Sequence, residues 1–219
     1  MNKHDSISHH RLLQQLQEAI SIPPPGQQAQ YKAVPPERPH SDLEEVRHAK
    51  DTRHAAVLAL IHPIDEIPHV ALIERNTYPG VHSGQISFPG GKIEKSDSGL
   101  IHTAQRETEE EVGIIPQAYD IWGELTEVYI PPSRFLVKPY IGLAKNELDF
   151  IADPREVNQI VHAPLHRFLS EDALQPEEVA VGDFKLKVPS YSWDGHIIWG
   201  ATAMMISELS TLIRSYLED

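Results

Sequence analysis

The 219-residue chain contains no cysteine. It therefore has no disulfide framework, no thiolate nucleophile and no sulfur-ligated zinc. Positive charge is also scarce: 19 Lys and Arg stand against 32 Asp and Glu, a net charge of −13. A general nucleic-acid binder needs a basic face for the phosphates, so that class is excluded. No apolar run approaches the roughly 18 to 20 residues that span a bilayer. The opening MNKHDSISHHRLLQQLQEAI lacks the apolar core of a secretory signal. These absences lead us to expect a cytoplasmic protein with no membrane or nucleic-acid partner. Histidine is plentiful, at thirteen residues, but they are scattered and no HExxH occurs, which argues against a histidine-held catalytic zinc. The acidic balance leaves one class open. A small phosphorylated ligand is compatible with it, provided local arginines or metal ions receive the phosphates.

What is present is ordinary for a globular chain: 40% hydrophobic and 23% charged residues. The length suits one domain with a small appendage. Residues 9 to 20 read as an amphipathic helix with Leu12, Leu13, Leu16, Ala19 and Ile20 on one face, stopped by IPPPGQQ. Residues 33 to 51 are polar and proline-bearing and read as an extended arm. This makes 1–50 a helix and arm packed on a main domain, 51–219. The main domain opens with β-rich runs at 54 to 62 and 68 to 75 around a polar Pro-Ile-Asp-Glu turn, the pattern of a hairpin. QISFPGG is a short strand ending in a glycine turn. A helix of about 13 residues follows over 100–112, with Asp97 or Ser98 as N-cap and Gly113 as its left-handed stop. Strands are expected at 119–129, 135–144 and 183–199, and a final helix at 203–217. Hairpins mixed with helices point to an α+β fold with a mixed sheet rather than a doubly wound one.

The chemistry concentrates in GGKIEKSDSGLIHTAQRETEEEVGI, residues 90 to 114, which holds Glu94, Asp97, Glu107, Glu109, Glu110 and Glu111. At 100° per residue, Ile101, Ala104, Thr108 and Val112 form one mostly apolar stripe. Glu107 and Glu111 lie beside that stripe, Glu110 lies next around, and Glu109 points to the other side. The bland reading is a solvated helix face. Two penalties weigh against it. Like charges at i,i+4 destabilise a bare helix, and negative charge near a helix C-terminus opposes the macrodipole. Divalent cations relieve both, and hard oxygen ligands on a stiff frame suit Mg²⁺ or Mn²⁺. Phe88-Pro89-Gly90-Gly91 lets backbone approach a ligand closely, and a glycine carbonyl can add an oxygen to a metal shell.

This segment resembles the Nudix box: G, five residues, E, seven residues, then R-E-U-x-E-E-x-G-U, with U bulky and apolar. Gly91 matches the first glycine, and residues 106–114, RETEEEVGI, match the second half with Thr108 at an aliphatic position. The middle departs from the pattern. The acid six residues after Gly91 is Asp97, and eight residues rather than seven separate it from Arg106, so the loop is one residue longer and Asp97 has no assigned role. The resemblance implies a Nudix-like mixed sheet sandwiched between helices. It also implies Mg²⁺ or Mn²⁺ held by Glu107, Glu110 and Glu111 with Gly91, and Arg106 orienting a glutamate; Glu109 falls at the variable position.

LIERNTYPGVHSGQISFPGG, residues 72 to 91, is similar to the signature that precedes the box in the coenzyme A pyrophosphatase subfamily, through Arg75, Gly84 and the FPGG run. PPPGQQAQ and IIWGATAMMISEL are similar to that subfamily as well. A second signature arginine is replaced by Gly80, with His82 nearby. The resemblance implies hydrolysis of coenzyme A or acyl-CoA to phosphopantetheine, or its acyl form, and adenosine 3′,5′-bisphosphate. Arg75 and Gly90 are the expected substrate contacts. Two alternatives stand beside this reading: a Nudix hydrolase of ADP-ribose or another nucleoside diphosphate derivative, and a non-catalytic nucleotide-binding module. A homodimer is left open.

Overall fold

A hairpin organises the fold. Strands β1 (Arg53–Ile64) and β2 (Ile67–Arg75) pair antiparallel with Ile64 opposite Ile67. Asp65 and Glu66 alone make the turn, both with positive φ (50° and 62°), the backbone that matches strand twist in a two-residue hairpin. The polar turn expected from Pro63 onward is thus shorter, and both strands run further. The computed structural model describes residues 7–18, 23–35, 38–76, 84–170, 172–181 and 184–217; the expected positions Ala19, Ile20, Gly80 and His82 lie outside the described residues.

Two short strands follow, β3 (Ile86–Ser87) on β2 and β4 (Gly90–Lys92) on β1. The stretch expected as one strand over 119–129 is two, β5 (Asp120–Glu124) and β6 (Val128–Ile130), both antiparallel to β7 (Phe135–Leu143). β7 in turn lies parallel to β1, so the sheet is mixed. β8 (Val157–Pro164) adds antiparallel to β2. Its sequence, VNQIVHAP, carries no clean alternation, which is why pattern reading passes over it. Beyond it β9 (Gln175–Val181), β10 (Phe184–Trp193) and β11 (His196–Ile198) form a separate three-stranded sheet. The single strand expected over 183–199 is broken at Asp194-Gly195, both with positive φ, a turn pair visible in the sequence.

Helices cover both faces of the main sheet. From β1, Val57, Ala59 and Ile61 pack with Leu12 and Leu16 of α1 (His9–Glu18) and with Met204, Leu209 and Ile213 of the last helix (Gly200–Leu217). The alternate residues Ala56, Leu58 and Leu60 face the other way, onto Ala104 and Val112 of the helix Leu100–Val112. Burial on both faces explains why β1 reads as a continuous apolar run. This is the expected α+β architecture, a mixed sheet between helices.

The N-terminal stretch is less extended than expected. α2 (Gln27–Gln30) and α3 (Leu43–His48) interrupt it, and α3 has its own stop and start signals: the Asp42 side chain accepts from the N–H groups of Glu44 and Glu45, and Arg47 and His48 close the last turn. With α4 assigned to Leu100–Val112, α5 to His166–Leu169 and α6 to Gly200–Leu217, one buried carboxylate ties this stretch down. Glu208 of α6 is fully buried and accepts from Gly26 N–H (2.9 Å), Gln30 Nε2 (2.7 Å) and Thr126 N–H. Among the described residues no helix is long and apolar enough to cross a membrane.

Folding also gathers histidines that the sequence scatters. His62 on β1 is buried; its Nε2 lies 3.0 Å from His162 Nδ1 on β8, and its ring lies tilted against those of His69 and Phe150. Burial, then the neighbouring His162, push the His62 imidazole down to about 3; burial also lowers His162 and His9. The native state keeps His62 neutral while the unfolded chain binds a proton below about pH 6.5, so this contribution to stability is complete above that pH and is lost as pH falls. Unfolding free energy from urea titration is expected to drop by roughly 2 kcal/mol between pH 7 and pH 5 through His62 alone. His62→Gln should flatten that slope; the same slope in the variant would refute the assignment.

Candidate active site

The site is built where β4 and α4 meet. β4 lies against β1 with Gly90 opposite Val57 and Gly91 opposite Ala56. Gly90 has φ 150°, and a Cβ there would overlap the Ala56 carbonyl and the Val57 backbone. At Gly91 a Cβ would sit 2.5 Å from the Glu107 carboxylate. Gly90 needs the missing side chain, whereas at Gly91 a Cβ would push the Glu107 carboxylate aside; together the pair brings main chain close to the helix carboxylates.

α4 runs over Leu100–Val112 as the sequence predicts and stops at Gly113 in the left-handed conformation (φ 73°), whose N–H bonds back to Glu109. Its start differs. Gly99 occupies the N-cap position with no side-chain cap, and neither Asp97 nor Ser98 takes that place. The buried face is also rotated from the expected stripe: Ile101 is 40% exposed, while Thr103, Ala104, Thr108, Glu111 and Val112 are buried. A carboxylate is therefore more deeply buried than the first isoleucine of the helix, a placement that hydrophobic periodicity does not anticipate.

Glu111 is 1% exposed, and each of its oxygens has a partner. Oε2 accepts from Gly90 N–H at 2.8 Å and Oε1 from the Arg75 guanidinium at 3.2 Å. Burial is the dominant influence and pushes its carboxyl up to about 7, against the pull of Arg75 and the Gly90 N–H. Glu107 is half-buried and also raised by burial, against its bond to Arg106. Glu110 is exposed, and Glu109 is exposed on the far side. The structure brings Glu107 and Glu111 to the glycine pair and reaches Glu110 through an arginine. Gly90, expected as a substrate contact, donates its N–H to Glu111.

Arg106 makes the densest set of contacts. Its Nε and one terminal nitrogen bind the two oxygens of Asp97 (2.9 Å each), and the other terminal nitrogen reaches Glu107 (2.9 Å) and Glu110 (3.0 Å). It also donates to the Lys92 carbonyl, tying the helix to the end of β4. Asp97 thereby acquires the role that its displaced spacing withheld. Its side chain is fully buried, accepts from the Thr103 hydroxyl and the Glu94 N–H, and is held by Arg106 well below the usual carboxylate range. The extra loop residue is absorbed between Asp97 and α4 without loss of this contact.

One acidic residue emerges only in three dimensions. The segment after residue 150 is stitched to the end of α4, with Ile151 N–H on Val112 O and Asp153 N–H on Glu111 O, and Asn76 N–H on Glu156 O. Glu156, exposed at the start of β8, is thereby close enough to Glu107 and Glu111 to raise both carboxyl pKa values. Nothing in its local spacing marks it. Among the described residues no group of three or more His, Asp or Glu is arranged to hold a metal ion, the histidine cluster included. The oxygen donors around Gly91 nevertheless suit a hard divalent cation, and in this structure arginines neutralise them.

The NUDIX domain family matches residues 52–188. The chain belongs to the Nudix family. It is 34% identical over 168 residues to the protein described as "Uncharacterized Nudix hydrolase NudL" of Photorhabdus laumondii, covering 77% of this chain and 89% of that one. The NudL of Escherichia coli O7:K1 is 32% identical over 178 residues, with 80% and 88% covered. Among solved structures the fold is shared with the Nudix hydrolase RenU of M. Smegmatis (TM-score 0.52, 17% identity, 74% of this chain and 86% of that chain). It is shared also with a MutT/nudix family protein of Enterococcus faecalis (TM-score 0.52, 14% identity, 89% and 76%). Within the Nudix frame the Asp97–Arg106 pair is the element that can be tested by stability. Asp97→Ala leaves Arg106 without its buried partner and is expected to cost about 3 kcal/mol in chemical denaturation. Glu94→Gln, at an exposed neighbour, should stay within about 0.5 kcal/mol. Equal small effects would show that the pair does not anchor the loop.

Proposed function

We propose that this Nudix hydrolase is a divalent-metal-dependent diphosphatase whose substrate is coenzyme A or an acyl-CoA. The observation that carries the reading is the convergence of Glu107 and Glu111 on Gly90-Gly91, the last two residues of the 72–91 segment that is similar to the coenzyme A pyrophosphatase signature. The NudL relatives agree with the Nudix part and leave the substrate open. Glu107, Glu110 and Glu111, with the Gly91 backbone, would hold Mg²⁺ or Mn²⁺. When bound, such an ion neutralises diphosphate oxygens and acidifies a water.

The remaining work falls to the chain's own groups. Arg106 keeps Glu107 and Glu110 on one side of the helix, and Gly90 N–H fixes the Glu111 rotamer. Water attacks one phosphorus, a P–O bond forms, the bridging P–O bond breaks, and the two phosphates leave on separate products: phosphopantetheine, or its acyl form, and adenosine 3′,5′-bisphosphate. Glu111 and Glu107 are already committed to partners, whereas Glu156 is an exposed carboxylate whose charge raises the pKa of both, and it takes the proton of the attacking water. Arg75 supplies the bidentate phosphate contact.

A substrate panel with Mg²⁺ or Mn²⁺ is the deciding test. Cleavage of CoA and acyl-CoA is expected to exceed that of ADP-ribose, and failure to cleave any CoA ester would transfer the assignment to another nucleoside diphosphate derivative. Glu111→Gln should abolish turnover with an unchanged circular dichroism spectrum; surviving activity would remove Glu111 from the metal site. Glu156→Gln should lower kcat about 10²- to 10⁴-fold at nearly constant KM, and a change confined to KM would argue for binding instead.

A further inference from the structure

Glu156 reaches the site on a tight turn. Asp153-Pro154-Arg155-Glu156 opens with an aspartate followed by a proline, the residues that turn geometry favours in its first two places. The N–H groups of Glu156 and Val157 both donate to the Asp153 carbonyl (3.1 and 2.9 Å), and Arg155 N–H donates to the Asp153 carboxylate (2.9 Å). The turn is thereby closed on itself, and its place is fixed by how it is fastened to the rest of the chain. On one side Asp153 N–H donates to the Glu111 carbonyl at 3.0 Å, tying the turn to α4. On the other side stands Asn76, the residue after β2, and it makes two bonds. Its backbone N–H donates to the Glu156 carbonyl and its side-chain Nδ2 to the Pro154 carbonyl, each at 2.9 Å.

The two bonds do different work. Pairing of β2 with β8 becomes irregular between Glu74 and Arg75, just before the turn is reached. Any residue but proline at 76 supplies the backbone N–H, and a single bond at the Glu156 carbonyl leaves the turn able to pivot about it. The Asn76 amide adds a second point two residues earlier, and a segment held at both points cannot pivot about either. Glu156 is exposed, so the main chain beneath it sets its distance from Glu107 and Glu111, whose pKa values its charge raises. Such placement matters to rate, since a misplacement of about 1 Å can cost about 10²-fold. We propose that Asn76 is a positioning residue for the reaction: its side chain pins the 153–156 turn, so that Glu156 stands beside the metal-binding carboxylates and takes the proton of the attacking water. This role rests on the reading of Glu156 as the base given above.

Amide hydrogen exchange of the full-length, metal-free protein tests the clamp without turnover. Asn76→Ala should speed exchange at the Glu156 and Val157 amides roughly fivefold, as expected for the loss of one net hydrogen bond. Asn158→Ala, which removes an exposed bond to Glu74 from the same strand, should leave both rates unchanged. Kinetics with Mg²⁺ on the fastest-cleaved nucleoside diphosphate derivative should show Asn76→Ala lowering kcat roughly tenfold at nearly constant KM. In a Glu156→Gln background the same change should lower kcat less than about twofold, because a residue that acts through Glu156 then has nothing left to position. Asn76→Leu, which keeps the bulk of the side chain without its donor, should behave like the alanine variant and serves if that one does not fold. Unchanged exchange at the two amides, a rise in KM alone, or an equal loss of kcat in both backgrounds refutes the role of Asn76 and leaves Glu156 as the base. If Glu156→Gln by itself keeps the native kcat, the reading of Glu156 falls and the role of Asn76 falls with it.

Discussion

The guanidinium of Arg106 sits among Asp97, Glu107 and Glu110, and the local structure is arranged around that charge balance. Glutamates at 107, 110 and 111 would repel along α4, and they lie toward the helix end where negative charge is least welcome. Arg106 offsets two of them and at the same time clamps the fully buried Asp97 and the Lys92 carbonyl. One side chain thus closes the loop between β4 and α4, sets the direction of the helix carboxylates and compensates a buried acid. An arginine suits this better than a lysine, since its planar fork binds Asp97 through two nitrogens and still has a third for the helix glutamates.

The glycine pair is the second half of the same device. The packing of Gly90 on Ala56 and Val57 requires a position without a Cβ, Gly91 lies beside the Glu107 carboxylate, and β4 holds both against β1 through ladder bonds. The carboxylates are therefore fixed to a rigid sheet on one side and to a rigid helix on the other. Such preorganisation is what a site needs if charge is to be stabilised without rearranging its supports.

Away from the site, buried polar groups do structural work. Glu208 ties the segment from Gly26 to Gln30 and the Thr126 backbone to α6, which explains how a proline-bearing N-terminal stretch follows the core so closely. His62 of β1 and His162 of β8 meet across neighbouring strands beside Phe150, and burial lowers the pKa of both imidazoles.

Much of this was legible in the order of residues. The extent of α4, its stop at Gly113, the first hairpin and the special status of Gly90-Gly91 all follow from local chemistry: helical periodicity, a left-handed stop and strand alternation. The segregation of Glu109 from Glu107 and Glu111 follows from the 3.6-residue repeat alone. What local chemistry cannot supply is anything that depends on two segments meeting. The partnership of Asp97 with Arg106 was hidden because the loop between them is one residue longer than the pattern, and sequence spacing counts residues whereas a folded loop only has to bring two groups within reach. Glu156 and the Arg75–Glu111 pair were hidden for the same reason, and β8 because its residues do not alternate. The sequence determined which residues carry oxygen donors and cations and on which helical face they lie; tertiary structure decided which cation meets which carboxylate, because that depends on burial and distance across the sheet.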